Sequence, residues 1–248
     1  MNYRIKSPET EMKAVVQLPS SKSICNRALI LNALSYSPYP IQNLSDCDDT
    51  AVLVKALNSN DRDFDIQAAG TAMRFLTAFL AKVVGEWTIT GTERMKNRPI
   101  KILVDALNAV GARIEYMEKE GFPPLRIWGS ALQGGEISLS GGVSSQYISA
   151  LLMVAPLMEK GLVLHLEGNI ISKPYIQLTL QLMKQFGVQS EWKGSTIRVA
   201  PQEYQPIPFT VESDWSAASY WYEMMALSRQ AEIQLKGLFK QSLQGDAA

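Results

Sequence analysis

The stretch Gly70-Thr-Ala-Met-Arg-Phe-Leu-Thr-Ala-Phe-Leu-Ala81 returns 74 residues later as Ser144-Ser-Gln-Tyr-Ile-Ser-Ala-Leu-Leu-Met-Val-Ala155. In both, small polar residues lead into an apolar run at helical spacing, which predicts a helix entered from a polar start. The correspondence continues downstream, where Arg98-Pro-Ile to Gly111 lines up with Lys173-Pro-Tyr to Gly187 with one or two residues of drift. Similar segments at a fixed spacing mean two copies of one structural unit.

Each copy passes from its first helix through an alternating strand, Glu86 to Thr90 or Leu162 to Leu166, and enters a second helix behind a basic-Pro pair. The proline fits the first helical turn, where no amide donor is lost. Gly111 and Gly187 read as helix stops. A hairpin-like strand pair then follows each, Ala112 to Tyr116 with Leu125 to Trp128, and Val188 to Trp192 with Ser195 to Val199. The unit is βαβαββ-like, which makes the chain an α/β (α+β) protein of repeated units. A third, weaker copy lies upstream: Ser20-Ser-Lys-Ser before a helix through Leu34, a short strand from Ile41 to Leu44, and Asp48-Asp-Thr opening a helix to Leu57.

Pro201, Pro206 and Pro208 then mark a crossing strand or linker, with a boundary expected near residue 208. Ser213 or Asp214 can cap a further helix, Ala217 to Leu227. The last stretch, Ala231 to Ala248, holds one strand and stops without a finishing element, so the chain is expected to be a piece of a longer one.

With 248 residues, 46% hydrophobic and 19% charged, the chain has material for sizeable cores. Basic and acidic residues both number 24, so no global field exists to hold a nucleic acid or an acidic membrane, and any anion site has to be made locally. The start, MNYRIKSPETEMK, lacks a signal-peptide pattern and the run Ile148 to Met158 is too short to span a bilayer, which points to the cytoplasm. Cys25, Cys47 and the single His165 have no metal-ligand spacing, so neither a zinc site nor a disulfide framework is expected.

The chemistry lies at the helix starts. Ser21-Lys22-Ser23 with Arg27 one turn in, Gly70-Thr71 with Arg74, and Ser144-Ser145-Gln146 each offer open amides and the positive end of a helix dipole, a setting that favours phosphate or carboxylate. Any one of them alone is better read as an ordinary cap; their repetition beside a basic or amide group favours three anion-binding ends. The loop Gly91 to Pro99 adds Arg94, Lys96 and Arg98, of which Arg98 precedes a helix start and can make a forked contact with an oxyanion. The matching Ser172-Lys173-Pro174-Tyr175 keeps a cation, a hydroxyl and an aromatic ring. No GxGxxG follows a strand and no GxxxxGK[ST] occurs. His165 between Leu164 and Leu166 reads as structural, Cys25 as core, and Trp215, Trp221 and Met224 as a packing face.

Taken together, Leu18-Pro-Ser-Ser-Lys-Ser-Ile-Cys-Asn-Arg-Ala-Leu, Ala69-Gly-Thr-Ala-Met-Arg, Arg94-Met-Lys-Asn-Arg-Pro-Ile, Val143-Ser-Ser-Gln-Tyr, Ser172-Lys-Pro-Tyr and Glu212-Ser-Asp-Trp-Ser-Ala-Ala-Ser-Tyr closely resemble the 5-enolpyruvylshikimate-3-phosphate synthase family. The likeness runs in unbroken order from Leu18 to Asp246. It implies the enolpyruvyl transferase-like fold, six βαβαββ units in two halves joined by two crossing strands. On that reading 19–208 form a complete three-unit half, and 1–18 with 209–248 belong to an incomplete second one. It also implies a cytoplasmic, monomeric full-length enzyme of chorismate and aromatic amino acid biosynthesis, the target of glyphosate. The 5-hydroxyl of shikimate 3-phosphate adds to C2 of phosphoenolpyruvate and phosphate is expelled, with no cofactor and no metal.

The resemblance carries roles onto matching residues. Lys22 is expected to meet both substrates, Ser23 and Arg27 the shikimate ring groups, Ser144, Ser145 and Ser172 the 3-phosphate with Gln146 beside them, and Tyr175 the ring face. Gly70, Arg98 and Gln146 are expected to line the phosphoenolpyruvate phosphate pocket. Ala68 stands where the family commonly has Asn, and Ser20 where it has Gly. The family's proton-transferring Asp and Lys, and its carboxylate-gripping Arg cluster, are expected beyond the end of this chain, which predicts a chain inactive alone. The related UDP-N-acetylglucosamine enolpyruvyl transferases carry a Cys before the Arg-Pro pair, and Thr92 to Asn97 has none. A stand-alone anion-binding module is the alternative from outside enzymology.

Overall fold

A computed structural model describes residues 11–247. The expectations placed on residues 1–10 lie outside the described residues. In chain order the elements are β1 (Glu11–Gln17), α1 (Lys22–Leu34), β2 (Ile41–Gln42), α2 (Asp48–Leu57), β3 (Asp63–Asp65), α3 (Gly70–Lys82), β4 (Gly85–Thr90), α4 (Glu93–Lys96), α5 (Lys101–Ala109), β5 (Arg113–Tyr116) and β6 (Leu125–Gly129). They continue as β7 (Gly135–Ser140), α6 (Ser145–Val154), β8 (Leu162–Glu167), α7 (Lys173–Gln185), β9 (Glu191–Lys193), β10 (Thr196–Val199), β11 (Phe209–Thr210), α8 (Trp215–Leu227) and β12 (Gln230–Lys236).

The 74-residue repeat becomes two sheets of one design, ordered β3-β4-β6-β5 and β7-β8-β10-β9, each with its first two strands parallel and the rest antiparallel. The helix stops are as expected: Gly111 and Gly187 take φ of 101° and 88°, a left-handed conformation in which a side chain is strained. The opening strands of both units, β3 and β7, have no counterpart in the sequence reading.

The weak first copy differs from the other two. Its strand is shorter than the expected Ile41 to Leu44, because Asn43 turns into the left-handed region at φ 57° and leaves the ladder. Its partner is β11, which pairs parallel with it, Phe209 with Ile41 and Thr210 with Gln42, while the Asn43 side-chain amide donates to the Val211 carbonyl at 2.6 Å. Two distant stretches of the chain run side by side here. Ser20 bridges Ser213, the Ser21 amide donates to the Glu212 carbonyl at 2.9 Å, and that of Asp214 to the Pro19 carbonyl at 2.8 Å.

Helices α3 and α6 lie at the centre. All of α3 except Phe79 and Lys82 is buried, and α6 is buried from Tyr147 through Val154, so the apolar run of α6 is a core helix enclosed by protein. Helix α1 packs against α3, α6 and α7, and these contacts bring the starts of α1, α3 and α6 to one end of the bundle. The last segment is thinner. Parallel β1 and β12 form a two-stranded sheet with α8 against it, and Asp214 caps that helix through a 2.8 Å bond from the Ser216 amide. The expected packing face of α8 is not buried: Met224 is exposed, Trp215 and Trp221 are half-buried, and Ala218 alone is fully enclosed. Two strands are too narrow to cover it.

Candidate functional site

At that shared end lies a cleft of about 230 Å³ lined by Lys22, Ser23, Asn26, Arg27, Thr71, Ser144, Ser145, Gln146 and Tyr175. The three units contribute to it together. Helices α1 and α3 begin without a side-chain cap from their own N-cap residues, while Ser144 both caps α6, accepting from the Gln146 amide at 3.3 Å, and faces the cleft.

Arg27 is 3% exposed. Its Nε donates to Thr179 Oγ1 at 2.7 Å, Nη2 to Ser149 Oγ at 3.0 Å and Nη1 to the Ser23 carbonyl at 2.9 Å. The Phe75 and Tyr175 rings flank the guanidinium, with centroids 5.3 and 6.0 Å away. Every partner is neutral. Burial pulls its pKa down to about 10, with Tyr175 acting slightly the other way. Among the described residues, Arg27, Arg74 and Arg98 form no ion pair with a carboxylate. Buried charge is normally paired, so an unneutralised guanidinium opening on a cleft is a place for an anion.

Arg98 and Gly70 do not line this cleft but meet next to it. A Cβ on Gly70 would lie 2.2 Å from Arg98 Nη1 and 2.7 Å from Arg74 Nη1, so the bare glycine lets two guanidinium groups lie against the start of α3. Arg74 donates to the Gly70 carbonyl at 2.8 Å, leaves its Nε without a partner, and lies 5.7 Å from the centre of the Tyr147 ring. Burial, then the repulsion of Arg74, lower the Arg98 pKa. The cation run of the 91–99 loop thus divides: Lys96 is tied to Glu118 and Glu93 as in a solvated turn, whereas Arg98 faces the α3 start.

Ser172 sits elsewhere, at the start of α7 one turn before Tyr175, and does not line the cleft. His165 joins Thr196 and Glu136 across its own sheet, and Cys25 is fully buried against the Ser45 amide, in keeping with structural parts for both. Sequence alone does not mark Asn26, Asp49, Ser149 and Thr179 as parts of the site; the signal it offers is that Asn26, Ser149 and Thr179 are polar residues set into buried helix faces. Among the described residues no group of His, Cys, Asp and Glu is placed to hold a metal, and no helix is long and apolar enough to cross a membrane.

The sequence model of the EPSP synthase (3-phosphoshikimate 1-carboxyvinyltransferase) family matches residues 6–59 and 53–248. The 3-phosphoshikimate 1-carboxyvinyltransferase of Bacteroides fragilis is 60% identical over the whole of this chain, and that of Vibrio atlanticus 40% identical over 96% of it. The chain spans 60% and 63% of the lengths of these two relatives. An EPSP synthase structure from Acinetobacter baumannii superposes with a TM-score of 0.81 at 19% identity, over 93% of this chain and 56% of that one, which speaks to the fold.

Proposed function

The chain belongs to the EPSP synthase family, and from that premise we propose that its cleft binds shikimate 3-phosphate, with phosphoenolpyruvate beside it, for an enolpyruvyl transfer that releases phosphate. The observation that carries this is Arg27, a buried cation with neutral partners only, which lines the same cleft as Ser144 and Ser145. Lys22, Ser23, Arg27, Ser144, Ser145, Gln146 and Tyr175 take the shikimate 3-phosphate, with Ser172 at the α7 start; Lys22, Gly70, Arg98 and Gln146 take phosphoenolpyruvate. Two anionic ligands have to approach each other, and cations placed beforehand with open helix amides offset that repulsion. Residues 19–208, with β11 added to their first sheet, are read as one three-unit half in a cytoplasmic, monomeric full-length enzyme. Proton transfer is assigned to the part of the relatives' length that this chain does not span.

Calorimetry and thermal denaturation of the chain with millimolar shikimate 3-phosphate test the binding. Weak binding with a raised midpoint is expected, and silence in both from a folded sample overturns the reading. In a phosphate-release assay with both substrates, the chain is expected to fall at least about a hundredfold below the full-length Bacteroides fragilis relative, since general acid-base assistance is typically worth that much or more. Release within about tenfold would place the proton-transferring groups among these residues.

Gly70→Ala probes the second subsite. The new methyl displaces the ends of flexible arginines rather than backbone, so the midpoint should stay within about 2 °C while phosphoenolpyruvate binding in the presence of shikimate 3-phosphate weakens about tenfold, the loss of one charged contact. Unchanged affinity would remove Arg98 from the site.

A further inference from the structure

The Asp48-Asp49-Thr50 segment, legible in the sequence only as a helix start, sets a carboxylate among the cations of the site. Asp49 Oδ2 lies 2.7 Å from Lys22 Nζ, and Oδ1 accepts from the Thr71 amide at 3.0 Å. Burial disfavours its charge, but the bonds from Lys22 and Thr71 outweigh this and hold the carboxyl below its usual range. The segment is anchored from behind, because the buried Thr50 hydroxyl donates to the equally buried Asn26 Oδ1 at 2.7 Å and pins the first turn of α2 to α1. Ahead of it, Thr71 Oγ1 accepts from Gln146 Nε2 at 3.2 Å. Lys22, Asp49, Thr71 and Gln146 are therefore linked through polar contacts that reach all three units.

We propose that Asp49 is a positioning residue: by holding the Lys22 ammonium and the start of α3 in one arrangement it shapes the cleft for its ligand, and this outweighs the repulsion between its own charge and an anion. The inference rests on the reading that shikimate 3-phosphate is that ligand. Charge counting alone predicts the opposite sign. Removing a negative charge and releasing Lys22 should then tighten every anion. Positioning predicts that the nearly isosteric Asp49→Asn frees a long side chain, whose re-immobilisation weakens shikimate 3-phosphate by about three- to tenfold.

The experiment is calorimetric titration of the full chain, Asp49→Asn and Asp49→Glu with shikimate 3-phosphate, and separately with inorganic phosphate as a probe of charge alone, beside thermal midpoints. Expected are weaker shikimate 3-phosphate in both variants, inorganic phosphate unchanged or tighter in Asp49→Asn, and midpoints within a few degrees of the parent. Asp49→Glu keeps the charge and alters the spacing, so it decides the matter if Asp49→Asn fails to fold. Equal or tighter shikimate 3-phosphate in the folded variants, or an equal loss for both ligands, overturns the positioning role. No binding by the unmodified chain overturns the ligand reading, and the present inference falls with it; the two failures are distinguished by which protein is silent.

Discussion

Arg27→Met is expected to weaken shikimate 3-phosphate by at least about a hundredfold while leaving the protein as stable as before or more so. The binding loss follows from removing a cation whose contacts to a charged ligand are worth roughly 1.5 to 3 kcal/mol each. The stability side follows from what the guanidinium lacks. It is buried with hydroxyl, carbonyl and ring neighbours and no carboxylate, so the folded state bears its desolvation without an opposite charge to offset it. A methionine fills a similar channel with an unbranched, adaptable chain. Ser149 and Thr179 keep each other as partners at 2.8 Å, so no hydroxyl is stranded. Denaturation curves and calorimetry on one sample check both halves. A loss of stability above about 2 kcal/mol with binding intact would make Arg27 a structural residue and remove the observation on which the functional reading stands.

Gly129→Ala should be the most damaging single-methyl change. Gly129 ends β6 opposite Gly85, and a Cβ there would fall 1.7 Å from the Val83 carbonyl oxygen and 2.5 Å from that of Leu80. These are backbone atoms at the end of α3, the most enclosed helix, and the Ser130 amide locks the same junction by donating to the Ala81 carbonyl at 3.0 Å. Nothing flexible can yield, in contrast to the arginine ends around Gly70. Separating α3 from its sheet is expected to lower stability by about 3 kcal/mol or more. Urea denaturation reads this directly; a loss under about 1 kcal/mol would show that the helix and strand can move apart without harm to the core.

The repeat was legible because its signals are local: a polar start, an apolar run and a glycine stop, twice over. Strand β3 was not, since Asp63-Phe-Asp65 has one apolar residue among charges and is a strand only because β4 lies beside it. Strand β7 does alternate, with Ile137 and Leu139 between Glu136, Ser138 and Ser140, so its period-two signal is present in the sequence. At the site, residue types at helix starts pointed to the cleft, whereas the partners of Arg27 did not show. Helical spacing says which face Ser149 and Thr179 occupy on their own helices, not what stands opposite. Asp49 was hidden for the same reason: its two contacts, with Lys22 and Thr71, come from different helices. Ser172 and Tyr175 belong to one motif, yet one helical turn separates a residue that lines the cleft from one that does not.

The pairing of β2 with β11 also sets an order of assembly during synthesis. Asn43 and its partner Val211 are 168 residues apart, so at about 5 to 20 residues per second the ribosome delivers the second roughly 8 to 34 s after the first. Through that interval β2 has an unpaired edge and α1, which packs against it, rests on a strand still lacking its partner, while each of the later units carries all four of its own strands within a short span of chain. The first unit to be made is therefore the last to close, and it holds Lys22, Arg27 and Asp49. A newly made chain acquires its anion grip only after the two later units have been made and can fold beside the first.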